Sequence, residues 1–295
     1  MHRPLSIVRK MPQKSMPSVL IIANCQKPET SGLATQIEEY LENRSVFVQA
    51  FSFQGKATLP DYQGLDLAIT LGGDGTVLFA ARSLATKGVP ILPVNLGNFG
   101  FITEVAKDEW AEDLESFLDG SSLGGRRLMA QVKVFRKTFQ KFESVCLNDA
   151  VISGAGISKI ISLSAFLTNT EIGKYRADGI IVATPTGSTA YSAAAGGPIL
   201  HPEIDALILN PICPFTLSHR PLVLPGGEKI RIVIDRAQRT QLMLTLDGQL
   251  EYPLEPEDEV IVTRAENPAI IVNSRKRNFY EVLRTKLNWS GGPDA

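Results

Sequence analysis

The 295-residue chain has little of what usually gives a function away at first reading. It contains three cysteines and three histidines. Cys25, Cys146 and Cys213 are far apart, form no CxxC pair or zinc pattern, and suit a reducing compartment as three buried thiols. His2, His201 and His219 lack a metal-ligand partner at useful spacing. No apolar run approaches the roughly 18 residues of a membrane-spanning helix. Thirty basic against 31 acidic side chains leave a net charge of -1, so no surplus charge draws the chain to nucleic acid or to an anionic membrane. Residues 1–17 hold His2, Arg3, Arg9, Lys10 and Lys14 without an acid, yet lack the apolar stretch of about 7 to 15 residues of a secretory signal. They read as a flexible basic tail, and the location as cytoplasmic. No repeat or low-complexity tract is present.

What remains is an ordinary soluble composition, 44% apolar, long enough for two domains. From residue 18 the pattern alternates. Apolar runs at 19–23, 46–51, 67–71 and 91–95 read as strands, and helical spacing appears around Leu33, Ile37 and Leu41, over 77–86 and over 110–118. This predicts an α/β domain over 18–126 with a parallel, Rossmann-like sheet, whose ligands sit beyond the carboxyl ends of the strands. After about Arg127 the texture changes to short strand-length segments at 130–135, 146–152, 160–167, 180–183, 229–234, 242–246, 259–264 and 269–272. Pro211, Pro214, Pro221, Pro225 and Pro253 punctuate them. A mainly β, sandwich-like domain over 127–272 follows from this, with a C-terminal segment, 273–295, whose short helix packs back.

Two segments carry chemistry. The first is Gly72-Gly73-Asp74-Gly75-Thr76 at the end of an apolar strand. Glycines there allow backbone angles that a Cβ forbids and let amides approach a polyphosphate, while Thr76 is placed to cap the next helix. Gly72, Gly73, Gly75 and Thr76 are therefore the phosphate-binding candidates, and Asp74 is the one reactive side chain. It can act as a general base or as a magnesium ligand. No lysine follows the glycines as it does in a Walker loop, so magnesium or basic residues such as Arg82, Arg176, Arg275, Lys276 and Arg277 must meet the phosphates. A second turn, 95–101, ends the next strand, with Phe99 and Phe101 either lining a cleft or anchoring the loop.

The other segment, 178–198, runs from a strand into a turn rich in Thr184, Thr186, Ser188 and Thr189, then into small residues. Hydroxyls and helix-start amides there can hold phosphate, ribose or a base edge. Asn148 and Asp149 interrupt another apolar strand and can hold ribose hydroxyls or a carboxamide, or serve as a turn pair. Asp247-Gly248 favours a hairpin turn.

In this order, Gly72 to Thr76, Asn148-Asp149, 178–198, Pro211-Ile212-Cys213-Pro214 and Asp247-Gly248-Gln249 resemble the NAD kinase family across about 18–287. The resemblance implies transfer of the γ-phosphoryl of ATP to the 2′-hydroxyl of the adenosine ribose of NAD, with magnesium accompanying the nucleotide. It implies that Asp74, Gly75, Phe101, Asn148, Asp149, Asp178, Thr186, Thr189, Ala190 and Tyr191 contact NAD, and it adds Arg176, Asp247 and Gln249 as weaker candidates. It also implies a homodimer or homotetramer. The family usually has glutamate where this chain has Asp149, which shortens that contact. Lipid or sugar kinases share the glycine-aspartate turn, and a dinucleotide sensor without turnover is the alternative outside enzymes.

Overall fold

The computed structural model describes residues 16–97, 100–122, 124–156, 160–216 and 218–288. The basic tail up to residue 15 and Phe99 lie outside them. The chain divides into two compact units: 1–83 with 89–125 and 270–295, and 84–88 with 126–269.

The first unit is α/β. Its elements run β1 (Ser18–Asn24), α1 (Glu29–Glu42), β2 (Phe47–Phe53), β3 (Leu67–Gly72), α2 (Asp74–Leu84), β4 (Ile91–Asn95), β5 (Val105–Ala106), α3 (Trp110–Leu118) and β6 (Gly125–Arg127). The chain returns to it through β19 (Ala269–Ile271) and α5 (Phe279–Lys286) after the strands of the second unit. The sheet order is β2-β1-β3-β4-β19-β6, with β5 added to β4. Pairs β1–β2, β1–β3 and β3–β4 are parallel. Central strands of such a sheet are covered on both faces, which is why β3 and β4 read as unbroken apolar runs. Val19, Ile21, Ile69, Leu71, Leu92 and Val94 pack against Leu33, Ile37, Leu41, Leu114 and Phe117 of the helices. The segment at 269–272, read from sequence among the β-domain strands, pairs instead with β4 of this sheet, Ile271 opposite Ile91.

The second unit is two six-stranded antiparallel sheets. Its strands are β7 (Ala130–Arg136), β8 (Phe139–Cys146), β9 (Asp149–Gly154), β10 (Ile161–Leu167), β11 (Thr170–Ala177), β12 (Gly179–Ala183), β13 (Ala206–Ile212), β14 (Leu222–Pro225), β15 (Ile230–Ile234), β16 (Leu242–Leu246), β17 (Leu250–Leu254) and β18 (Glu259–Arg264), with the short helix α4 (Tyr191–Ala194) after β12. The sheet orders are β11-β10-β15-β18-β7-β8 and β14-β13-β12-β9-β16-β17. Alternate residues of both sheets share one core: Val132, Leu163, Ile232 and Val260 from the first, Ile152, Val182, Leu209 and Leu244 from the second. On the outer face of the second sheet, Val151, Ile181, Ala183 and Ile208 are covered by Ala195 and Leu200. That cover buries β12 on both sides and fixes the segment that leaves its end.

The expected strand at 146–152 is in fact two, because the chain turns at Leu147 and Asn148 between β8 and β9. Pro211 does not punctuate but lies inside β13. There β14 pairs only with residues 206–209, so Pro211 has a strand partner on one side alone and its missing N–H disrupts little. Of the cysteines, only Cys146 is buried. Cys25 is partly exposed, and Cys213 is exposed in the turn after β13 at φ 45°.

Candidate active site

In the first unit the candidate residues gather at the carboxyl ends of β3 and β4. Helix α2 begins at Asp74 itself, so Thr76 lies in its first turn and does not cap it. The glycines act through space and not through unusual angles, since Gly72, Gly73 and Gly75 are not among the residues with positive φ. A Cβ on Gly72 would stand 2.2 Å from Thr76 Oγ1, whereas one on Gly73 would meet nothing within 4 Å. Thr76 Oγ1 is buried without a hydrogen-bond partner among the described residues. Gly73 and Gly75 are exposed at the positive end of the α2 dipole.

Asp74 does not face solvent freely. Its Oδ2 accepts from the Phe101 amide at 2.9 Å, and its Oδ1 accepts from the amides of Ile102 and Thr103 at 3.2 and 3.0 Å and from Thr103 Oγ1 at 2.9 Å. A carboxylate offers about four lone-pair positions. Oδ1 is therefore saturated, and the one position left is on Oδ2. The loop comes this close because residue 100 is glycine: a Cβ there would lie 1.8 Å from Oδ1. Phe101 thus meets Asp74 through its backbone. Asn95, at the end of β4, holds the loop from behind, donating from Nδ2 to Thr103 Oγ1 at 2.9 Å and accepting the Gly97 amide at 2.7 Å. The sequence reading missed Asn95, Gly100 and Thr103 as a set. Their signal was the polar residue and two glycines after an apolar strand.

A cavity of about 590 Å³ in this unit is lined by Gly97 and by Lys276, Arg277, Glu281, Arg284, Thr285 and Lys286 of the C-terminal segment. Arg277 is committed to Glu109, and Glu281 caps α5 by accepting the Asn278 amide. Glu109 is held below the usual carboxylate range chiefly by the Arg277 hydrogen bond, with Lys276 adding to it.

In the second unit three turns converge at one end of the second sheet: Leu147–Asn148, the stretch 184–190, and 247–249. Asp149 opposes Ala183 in the register of β9 and β12, and the Thr184 amide donates to Asn148 O at 2.8 Å. Gly187 packs so tightly on Asn148 that a Cβ would sit 2.0 Å from its carbonyl oxygen. Asp247 and Gly248, both at positive φ, make the expected hairpin turn, closed by the Gln249 amide on Leu246 O at 2.9 Å. The Asp247 carboxylate turns inward and accepts the amides of Leu147, Asn148 and Asp149 at 3.2, 2.7 and 3.4 Å. It organises the neighbouring turn. Asp149, 4% exposed, is pushed up to about 7 by burial first and by the Asp247 charge second.

The hydroxyl-rich turn divides its labour. Thr184 donates to Leu147 O, and Ser188 donates to Pro185 O at 2.6 Å while accepting the Leu200 amide at 2.9 Å, so both are structural. Thr189 bonds back to Thr186 O at 3.2 Å. Thr186 Oγ1 and Asn148 Oδ1 remain buried without partners among the described residues. An unpaired buried polar atom costs about 1–3 kcal/mol. Ala190 is partly exposed and Tyr191 is 47% exposed. Two predicted residues are not brought here. Asp178 precedes the opposite end of β12, about 20 Å from Thr184 at the rise of an extended strand, and Arg176 lies in β11 of the other sheet, opposite Ser162. Asp178 is exposed, and Arg176 sits 5.3 Å over the Phe215 ring.

Residues 56–122 match the family model for the ATP-NAD kinase N-terminal domain, and 147–274 match that for the ATP-NAD kinase C-terminal domain. The NAD kinase of Treponema denticola is 42% identical over 94% of this chain and 98% of its own. The chain belongs to the NAD kinase family. The structure of yeast NADH kinase complexed with NADH superposes with a TM-score of 0.84, at 25% identity, over 95% of this chain and 90% of that one. An NAD kinase from Archaeoglobus fulgidus in complex with ATP shares the fold with a TM-score of 0.73 at 24% identity, over 94% of this chain and all of that one. Membership makes the chain a phosphotransferase. No described helix is long and apolar enough to cross a membrane.

Proposed function

We propose that the enzyme transfers the γ-phosphoryl of ATP to the 2′-hydroxyl of the adenosine ribose of NAD, giving NADP and ADP, with Asp74 as the base. The carrying observation is the single open lone-pair position on Asp74 Oδ2 at the start of α2, beside the exposed Gly73 and Gly75. A ribose hydroxyl ionises far above neutral pH, so a carboxylate that takes its proton as the O–P bond forms lowers the barrier. The helix dipole and exposed backbone of the Gly72–Thr76 turn suit the donor's phosphates. Arg284 and Lys286, which line the cavity with Gly97, supply cationic charge.

Magnesium fits this donor set only as a companion of the nucleotide. Among the described residues no three His, Cys, Asp or Glu side chains gather to hold a metal. Magnesium commonly binds through one or two carboxylates plus substrate phosphates, and Asp74 is the one carboxylate at the turn. When bound, it would neutralise charge on the phosphates.

For NAD, the unpaired Asn148 Oδ1 and Thr186 Oγ1, with Asp149, Thr189, Ala190 and Tyr191, form the recognition set at the sheet end. Asp178, which precedes β12, and Arg176, in β11, do not join it in the same chain; in a homo-oligomer, the assembly proposed here, they serve the site of a second copy. The three cysteines, none in a disulfide, suit the cytoplasm.

Purified protein with ATP, magnesium and NAD forms NADP. Asp74→Asn lowers kcat about 10²- to 10⁴-fold with NAD binding retained. Normal turnover in that variant removes Asp74 as base. Product on a lipid or sugar, or NAD binding without product, refutes the acceptor assignment. Mixed with Asp178→Ala, the Asp74→Asn enzyme regains activity through shared sites, and an inactive mixture of exchanging subunits refutes the oligomer reading.

A further inference from the structure

Thr103 is fully buried, carries no charge, and has a side chain with no role in the reaction as described so far. Its hydroxyl nevertheless uses its whole hydrogen-bonding capacity at the candidate base. A hydroxyl has one proton to donate and two lone pairs to accept with. Thr103 Oγ1 accepts from Asn95 Nδ2 at 2.9 Å and from the Gly100 amide at 3.0 Å. Both acceptor positions being filled, the proton has one direction left, toward Asp74 Oδ1 at 2.9 Å. Asn95 is oriented in turn by the Gly97 amide on its Oδ1. Its amide therefore presents Nδ2, not Oδ1, to the hydroxyl.

We infer that Thr103 is a positioning residue for phosphoryl transfer: oriented by Asn95 and the Gly100 amide, its hydroxyl fixes the Asp74 carboxylate so that Oδ2 meets the acceptor hydroxyl. The inference rests on Asp74 being the base. With Oδ1 occupied by three donors, rotation of the carboxylate would break several bonds at once, so the two oxygens do not exchange roles. The ribose O–H bond then breaks with its proton passing to Oδ2, the new O–P bond forms, and the bridging P–O bond of the donor breaks to release ADP. Misplacing the base by about 1 Å costs on the order of 10²-fold in such steps. The effect falls on kcat, because Thr103 touches neither substrate.

The experiment compares Thr103→Val, which keeps the shape and loses the hydroxyl, with Thr103→Ser, which keeps the hydroxyl. The expected result is a fall in kcat of about 10- to 100-fold for valine, KM for NAD and ATP within about twofold of wild type, and serine within about threefold of wild-type kcat. In the Asp74→Asn background, single-turnover rates with and without Thr103→Val should coincide, because Thr103 acts only through Asp74. Wild-type kcat in the valine variant overturns the inference, as does serine as slow as valine, or additive losses in the double variant. Should the valine variant fail to fold, Thr103→Ala, which also lacks the hydroxyl, takes its place beside Thr103→Ser and in the Asp74→Asn background, with the same expected and overturning results. A dead Asp74→Asn enzyme beside a normal Thr103→Val enzyme sinks this inference alone. A normal Asp74→Asn enzyme sinks the assignment beneath it.

Discussion

Asp149 offers a test that needs no ligand. Its carboxyl is buried at the sheet end beside Asp247, and it is raised from the ordinary aspartate value of 3.8 to about 7. The folded protein therefore binds this proton more tightly than the unfolded chain does. Its contribution to stability is fully present below about pH 4, declines as the unfolded chain loses the proton first, and is lost once the pH has risen through about 7. Integrating the two titrations gives a loss of about 2–3 kcal/mol between pH 5 and pH 8. An asparagine at this position has nearly the same shape and does not titrate. The perturbation is thus Asp149→Asn, followed by urea unfolding of both proteins at several pH values from 5 to 8. The difference in unfolding free energy should move by about 2–3 kcal/mol toward the variant as pH rises, with unchanged slopes against urea. A difference that stays flat across this range would show that the carboxyl is not desolvated in the folded state. A difference moving toward wild type with rising pH would mean that Asp149 is a stabilised anion, the reverse of the argument.

Two other substitutions probe packing and charge. Gly187→Ala drives a Cβ to 2.0 Å from the Asn148 carbonyl, a backbone atom that cannot swing aside. It should cost about 1–3 kcal/mol, read as a lower Tm, and raise KM for NAD by displacing Asn148; an unchanged Tm contradicts the contact. Glu109→Gln breaks the pair with Arg277, whose partner carboxylate is 13% exposed, at a cost of about 1.5–3 kcal/mol at pH 7. Because Glu109 is held below its ordinary value, that stability is present above the ordinary carboxylate range and disappears in acid, so wild type and variant should converge as pH falls through the depressed value. Parallel curves at pH 7 and pH 3 would refute the pairing.

The parts of the fold that the sequence makes legible are those buried from both sides. Segments 91–95 and 110–118 coincide with β4 and α3, since a parallel strand under helices is apolar throughout and its helix has a clear face. Of the five strands of the second unit that escape reading, four, β8, β11, β14 and β17, are the outermost strands of their sheets. An edge strand buries only one flank, so its alternation is faint, as in Phe139–Cys146, where exposed Gln140, Lys141 and Glu143 dominate. Beside β14, the central strand β13 was hidden for a different reason, the proline that its short neighbour tolerates.

The same physics divides the site. The Gly72–Thr76 turn announces itself because a carboxylate among glycines is costly to place by chance in a strand end. The loop that holds it does not, because the requirement for glycine at 100 arises from an oxygen 26 residues away in sequence, and that distance exists only after β3 and β4 have paired. Thr103 is harder still to find, since a threonine after an aromatic and an aliphatic residue reads as ordinary core. Its chemistry appears only when both acceptor positions of its hydroxyl are seen to be filled. Local pattern can nominate the group that reacts, but the groups that hold it still are selected by tertiary contact. Substitution at Thr103 should therefore separate turnover from binding more cleanly than substitution within the pentapeptide, where one residue serves both.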